Sequence, residues 1–326
     1  MARKADVDDL VARARKSEPR AVARLISLIE NASPQLRQVM AALNPLAGKA
    51  RIIGLTGAPG VGKSTSTNAL VRAFREQDLR VGVLAVDPSS PFTGGALLGD
   101  RVRMQDHASD PGVFIRSMAS RGHLGGLSWA APQAIRVLDA AGCDVILVET
   151  VGVGQAEVEI ASLADSTIVL VSPGMGDSIQ AAKAGILEIA DVFVVNKADR
   201  DGAQQTVRDL RNMIALAAPE GWKPPIVPTV AVRDEGVADV VEQLGRHHAW
   251  MEETGELGRR RRARARDEIE AIAVTALRER MGDLHGHQRL DVLAEKVLDG
   301  ACDPYAAADE LVDGLTDAAS APDRPR

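Results

Sequence analysis

Gly57-Ala58-Pro59-Gly60-Val61-Gly62-Lys63-Ser64 fits the phosphate-cradling pattern G-x-x-x-x-G-K-S/T, and the rest of the chain is organised around it. It follows an apolar run, Arg51-Ile52-Ile53-Gly54-Leu55-Thr56, that reads as a buried strand, and it opens a helical pattern from Thr65 to Gln77. Glycines let successive backbone N–H groups turn inward around a phosphate. The helix that follows offers the positive end of its dipole, and Lys63 supplies a point charge for the β- and γ-phosphates. The expected nucleotide-binding residues are thus Gly57, Ala58, Pro59, Gly60, Val61, Gly62, Lys63, Ser64 and Thr65, with Lys63 also catalytic and Ser64 a Mg²⁺ ligand.

Outward from this loop, strand and helix patterns alternate, which predicts an α/β P-loop NTPase domain over 49–250: a mainly parallel central sheet flanked by helices. Strands are expected at 51–56, 80–86, 113–117, 143–149, 166–172, 192–196 and 226–230, several of them apolar almost throughout, as buried parallel strands are. In such sheets ligands sit at the carboxyl ends of the strands. Residues 1–48 read as a helical extension: two short helices broken near Ser17-Glu18-Pro19, then a third from Ser33-Pro34, with the Ser as cap, to Leu43. Residues 251–318 read as a helical C-terminal arm, a long charged helix over 253–281 followed by helices at 288–299 and 304–316, and 319–326 as a disordered tail. Such an arm cannot bury much surface alone, so it packs back or, the favoured expectation, pairs with a second copy.

Asn196-Lys197-Ala198-Asp199 closes the apolar strand Val192 to Val195. In an N-K-x-D turn the Asp carboxylate accepts the N1–H and the exocyclic amino group of guanine, while the Asn and Lys brace the loop and the ring. Adenine would set a ring acceptor against that carboxylate, and a buried charge without a partner costs several kcal/mol. GTP is therefore expected rather than ATP, with Asn196, Lys197 and Asp199 reading the base and Thr229-Val230-Ala231 forming the last base-contacting loop. Glu149-Thr150-Val151-Gly152 ends a strand: the carboxylate of Glu149 can bind Mg²⁺ through water, and Gly152 can present a backbone N–H to the γ-phosphate. Many GTPases have Asp where Glu149 stands. Asp87 and Asp100 are candidate carboxylates behind the metal, with a turn residue and a helix cap as their plain readings. No Gln follows Gly152 directly, Gln155 lying three residues on, so slow intrinsic turnover is expected.

Composition narrows the partners. A net charge of −6, from 39 basic and 45 acidic residues, argues against a nucleic-acid binder, and aromatics at 2% leave no stacking platform for single strands. Cys143 and Cys302 lack metal-ligand spacing, and no signal peptide or apolar run near 20 residues is evident, so a reduced cytoplasmic protein without membrane contact is expected. His285-Gly286-His287 reads as a solvated turn for want of further ligands, His247-His248 as a helix end, and Arg259 to Arg266 as a solvated helix face, with an acidic-partner site as its sharper alternative.

With these residues assembled, the chain resembles the MeaB/ArgK family of P-loop GTPases over nearly its whole length. The resemblance is carried by Gly57 to Thr65, by Val86-Asp87-Pro88-Ser89-Ser90-Pro91-Phe92-Thr93-Gly94-Gly95, by Leu98-Gly99-Asp100-Arg101 with Arg103-Met104, by Glu149-Thr150-Val151-Gly152-Val153-Gly154-Gln155, and by Asn196 to Asp199. It implies a Mg²⁺-dependent GTPase, alternating between GTP and GDP, that gates adenosylcobalamin loading and protects methylmalonyl-CoA mutase, and a homodimer joined through the C-terminal arm. It also implies that Asp87 to Met104 is a nucleotide-responsive switch, and that Asp177 and Lys183, in a segment starting at Pro173, couple nucleotide state to the mutase; Asp177 reads equally as a helix cap. Two rivals remain at this point: a metal-insertion GTPase of the hydrogenase or urease maturation type and, more remotely, an amino-acid transport-system kinase.

Overall fold

The structure, a computed structural model, describes residues 6–88, 107, 109–120, 130–150, 156–174, 188–217, 221–281 and 288–320. Seven strands form one sheet: β1 Arg51–Gly57, β2 Val81–Pro88, β3 Val113–Ser120, β4 Val145–Thr150, β5 Ser166–Val171, β6 Val192–Asn196 and β7 Ile226–Thr229. Their order is β3-β2-β4-β1-β5-β6-β7, and every neighbouring pair is parallel. β1 lies between β4 and β5, where the order turns back, so its carboxyl end opens on the crevice in which ligands of such sheets sit.

Alternate side chains of the strands feed two apolar layers, as the pleat requires. On one face Ile52, Leu84, Val86, Ile146 and Val148 meet α1 (Val7–Arg15), α2 (Pro19–Glu30), α3 (Leu36–Leu43), α5 (Ala131–Ala140) and α6 (Ala156–Leu163). On the other, Ile53, Leu55, Val83, Leu147, Leu170 and Val194 meet α4 (Lys63–Arg75) and α8 (Val237–Glu253). A smaller cluster seats α7 (Ala203–Ala217) on Val169, Phe193 and Val195. The three N-terminal helices share the first cluster with the sheet, so their amphipathic faces are buried against the α/β layer.

Local chemistry sets most helix starts. The Asp6 carboxylate accepts the Asp9 N–H ahead of α1, and Pro19 stands in the first turn of α2. α3 begins at Leu36 instead of Ser33-Pro34: the Leu36 N–H donates to the Ser33 carbonyl and the Gln35 N–H to the Ser33 hydroxyl, which closes a turn before the helix.

The chain divides into two units, residues 1–261 and 262–326. The long helix α9 (Glu256–Met281) runs through the division. In the second unit α10 (Gln288–Leu298) and α11 (Pro304–Ser320) pack through Leu293, Ala307 and Leu311, whereas Ile269, Ile272 and Leu277 of α9 are exposed. Among the described residues no helix is long and apolar enough to cross a membrane.

The amino edge of the sheet corrects two sequence expectations. Arg260 and Arg261 are not part of a solvated face. Arg260 forks onto Asp191, with both contacts at 2.9 Å, and Arg261 forks onto Asp165 at 2.8 and 3.2 Å while also donating to the carbonyls of Gly48 and Ala50. Those two aspartates, which stand just ahead of β6 and β5, also receive the backbone N–H groups of Thr167 and Ile52, so the first turns of α9 are bolted to the strand starts. His247 lies inside α8, not at a helix end. It is fully buried between Trp222 and Trp250, with Nδ1 2.8 Å from the Ser166 hydroxyl, and desolvation lowers its pKa.

Candidate functional site

The 57–65 segment joins β1 to α4 at the carboxyl edge. Gly57 has φ +144° and an added Cβ would lie 2.3 Å from the Leu170 carbonyl oxygen of β5; Gly62 has φ +97° and an added Cβ would lie 2.4 Å from Asn196 Nδ2. Both positions therefore exclude a side chain twice over, by conformation and by space. Pro59 and Gly60 are exposed, Ala58 is half-buried and Val61 is buried, so the loop turns its backbone outward on an apolar peg. Gly62 caps α4, and the N–H groups of its first turn face the mouth of the loop. Lys63 is buried, its ammonium donating to the carbonyls of Gly57 at 2.6 Å and Ala58 at 3.1 Å. Ser64 and Thr65 follow it, both half-buried.

Glu149, buried near the end of β4 and paired in register with Leu55, reaches under the first turn of α4. Ser64 Oγ donates to its Oε1 at 2.7 Å and Thr67 Oγ1 to its Oε2 at 2.9 Å. The sequence reading paired Ser64 with Glu149 and missed Thr67, although the three-residue spacing from Ser64 puts both hydroxyls on one helix face. Serine hydroxyl and carboxylate are hard oxygen donors of the kind Mg²⁺ takes.

Asn196 ends β6 and is the junction of the edge. Its Nδ2 donates to the Val61 carbonyl at 2.9 Å, and its Oδ1 accepts from the Ala231 N–H at 3.1 Å and the Thr229 hydroxyl at 3.3 Å. The amide thus ties the phosphate loop to the segment after β7. Lys197, in the left-handed region at φ +58°, donates to the Gly60 carbonyl at 2.7 Å, and the Ala198 N–H donates to the Thr229 carbonyl. Asp199 is exposed on the outside of this junction, with Arg233 Nη1 3.4 Å from its Oδ2. Thr229, Val230 and Ala231 are all buried, Val230 bridging to Glu235 across a tight turn.

The structure therefore brings Gly57 to Thr65, Glu149, Asn196 to Asp199 and Thr229 to Ala231 to one edge of the sheet. β2 delivers Asp87 to the same edge, in register with Ala119; its side chain, together with Asp100, Gly152, Asp177 and Lys183, lies outside the described residues. Residues that sequence reasoning missed are Thr67, Arg233 and Arg72, the last forked onto Asp234 next to Arg233. Cys143 is buried ahead of β4, at the opposite edge, and desolvation pushes its thiol pKa up to about 12, so no thiolate ligand is on offer there. His285 and His287 lie outside the described residues.

The family model described as "Methylmalonyl Co-A mutase-associated GTPase MeaB" matches residues 22–284. A Pyrococcus horikoshii protein is 48% identical over 95% of this chain and 98% of its own length. The mouse methylmalonic aciduria type A homolog, mitochondrial, is 34% identical over 80% of this chain and 64% of its own. Among solved structures, the crystal structure of a LAO/AO transport system kinase superposes with a TM-score of 0.73 at 26% identity, over 97% of this chain and 99% of that one.

Proposed function

The chain belongs to the MeaB family of GTPases, and we propose that it is a slow, Mg²⁺-dependent GTP switch that gates adenosylcobalamin loading into methylmalonyl-CoA mutase and protects that mutase. The observation that carries the switch is Asn196, whose single amide spans the phosphate loop at Val61 and the loop after β7 at Ala231, so base and phosphate contacts form as one unit. The mutase half is supported by the description of the family and by the mouse relative.

In this reading Lys63 leaves the carbonyls of Gly57 and Ala58 for the β- and γ-phosphates, and the backbone N–H groups of 60–64 wrap the β-phosphate. Ser64 and Glu149 would hold Mg²⁺, with Asp87 and Asp100 as carboxylates behind them; the ion would supply charge neutralisation to the phosphates. Thr67 fixes the rotamer of Glu149. Gly152 gives its N–H to the γ-phosphate. Asp199 accepts N1–H and the exocyclic amino group of guanine, Lys197 braces the ring, and Thr229 to Ala231 close over the base edge. Phosphoryl transfer asks for positioning and charge neutralisation more than covalent chemistry, and turnover waits on a partner to order the attacking water. Asp177 and Lys183 pass the nucleotide state to the mutase, and the exposed apolar face of α9 pairs two copies.

The test is hydrolysis by purified protein. GTP but not ATP should turn over, with Mg²⁺ required, and Lys63→Ala should abolish nucleotide binding without unfolding the chain. A single-turnover rate on the order of tens per second without any partner would overturn the slow switch.

A further inference from the structure

The turn after β7 carries a side chain that the nucleotide pattern does not use. Arg233 ends the short 3-10 turn Ala231–Arg233, and its guanidinium is shared between two carboxylates. Nε and Nη2 fork onto Glu235 Oε1 and Oε2 at 2.7 and 3.4 Å, and Nη1 donates to Asp199 Oδ2 at 3.4 Å. The turn that presents Arg233 is held at three points. The Val230 N–H donates to the Glu235 carbonyl at 3.0 Å. Asp234 takes a left-handed φ of +58°, with its carboxylate held by Arg72 of α4. Gly236, at φ +75°, has no room for a Cβ, which would lie 2.3 Å from the Pro228 carbonyl oxygen. The same turn is thus pinned to the phosphate-loop helix through Asp234 and to Asp199 through Arg233.

We infer that Arg233 is a positioning residue for base discrimination: it orients the Asp199 carboxylate so that both of its oxygens face a purine carrying N1–H and a 2-amino group. The inference rests on the reading of Asp199 as the base acceptor. An ionised carboxylate has about four lone-pair sites. Arg233 occupies one on Oδ2 and leaves one on that oxygen, and both on Oδ1, for the base. The terminal torsion of an Asp side chain is broad, so without a second anchor the carboxylate plane wanders. Two parallel hydrogen bonds suffer from that wandering more than one does. A 2-amino-6-oxopurine therefore depends on Arg233, and a 6-oxopurine without the amino group depends on it less. Glu235 holds the guanidinium on its far side, which keeps Arg233 beside Asp199 when no base is bound.

Dissociation constants for GDP and IDP, measured by fluorescence titration of the full chain, test this. Both partners are exposed, so the pair is worth a factor of about two to five. Arg233→Ala should weaken GDP by that factor and IDP by less, shrinking the GDP-over-IDP preference. Arg233→Lys should recover part of the preference, keeping the charge without the fork. Equal losses for both nucleotides would mark a turn that merely folds less well and would overturn the inference, as would no loss. Asp199→Asn examines the underlying reading: it should lose GDP and gain XDP. Intact GDP binding in Asp199→Asn would remove the base reading and Arg233 with it, whereas the expected Asn behaviour beside an unchanged Arg233→Ala preference would remove the role of Arg233 alone.

Discussion

Asn196→Ala should both destabilise the protein and detach its base loop. The side chain is 3% exposed and serves three groups at once: the Val61 carbonyl, the Ala231 N–H and the Thr229 hydroxyl. Alanine leaves the first two as buried main-chain groups without that partner, while the Thr229 hydroxyl can rotate elsewhere. At about 1–3 kcal/mol for each orphaned group, the loss sums to roughly 2–6 kcal/mol. A loss near the middle of that range lowers the melting temperature of a unit of this size by about 10 °C. The assay is urea and thermal unfolding of the nucleotide-free protein, paired with a labelled-GDP titration. Asp199→Ala is the control: that side chain is exposed, so its removal should leave stability within about 0.5 kcal/mol while removing base affinity. An Asn196→Ala protein that melts within about 2 °C of the parent, or binds GDP as well, would refute the claim that this amide joins the two loops.

Three further outcomes follow from the same geometry. Thr67→Val removes the hydroxyl on Glu149 Oε2 at an almost constant volume; kcat and Mg²⁺ affinity should fall about tenfold while GDP binding is kept, and unchanged Mg²⁺ dependence of turnover would count against it. Burial holds the folded pKa of His247 below its ordinary 6.5, with Arg260 and His248 acting in the same direction and the Asp191 and Glu256 carboxylates opposing. The unfolded chain therefore binds the proton first, so stability should be level at high pH and fall as pH drops below about 6.5. His248, also held low by desolvation, adds to the slope, so His248→Gln should keep part of it; denaturant midpoints read by tryptophan fluorescence that do not move between pH 7.5 and 5.5 would contradict this. Arg260→Ala strands the buried Asp191 carboxylate and should cost about 2–4 kcal/mol, whereas Arg262→Ala, two residues on and exposed, should cost less than about 0.5; equal effects in chemical denaturation would return both to a solvated face.

The strands were legible because most of them are near-continuous apolar runs cut by turn residues, as the inner strands of a parallel sheet covered on both faces are. The edge was legible too. Gly57 to Ser64 and Asn196 to Asp199 are local patterns whose backbone demands are written in consecutive residues, such as the positive φ of Gly62. What escaped was long-range pairing. The run Arg259 to Arg266 has the composition of a solvated face, and nothing within it tells that Arg260 and Arg261 meet aspartates 69 and 96 residues upstream. His247 is one of two adjacent histidines near a helix end in the sequence, and only the tertiary packing of Trp222 and Trp250 makes it a core residue. Thr67 is flanked along the chain by the polar residues Ser66 and Asn68, which give it no distinguishing pattern, and its partner Glu149 lies 82 residues away. The start of α3 slipped because Ser33 spends both its carbonyl and its hydroxyl on a turn that competes with a helix cap.

The reading of the site as a switch for a mutase stands or falls on GTP hydrolysis by the purified full chain, measured with and without an adenosylcobalamin-dependent acyl-CoA mutase from the same organism. Nucleotide state and partner affinity must be coupled in both directions if this is a gate. Acceleration of several-fold or more on adding the mutase is the predicted result. An unchanged rate beside intact GTP binding would contradict it, leaving a GTPase whose partner is another protein.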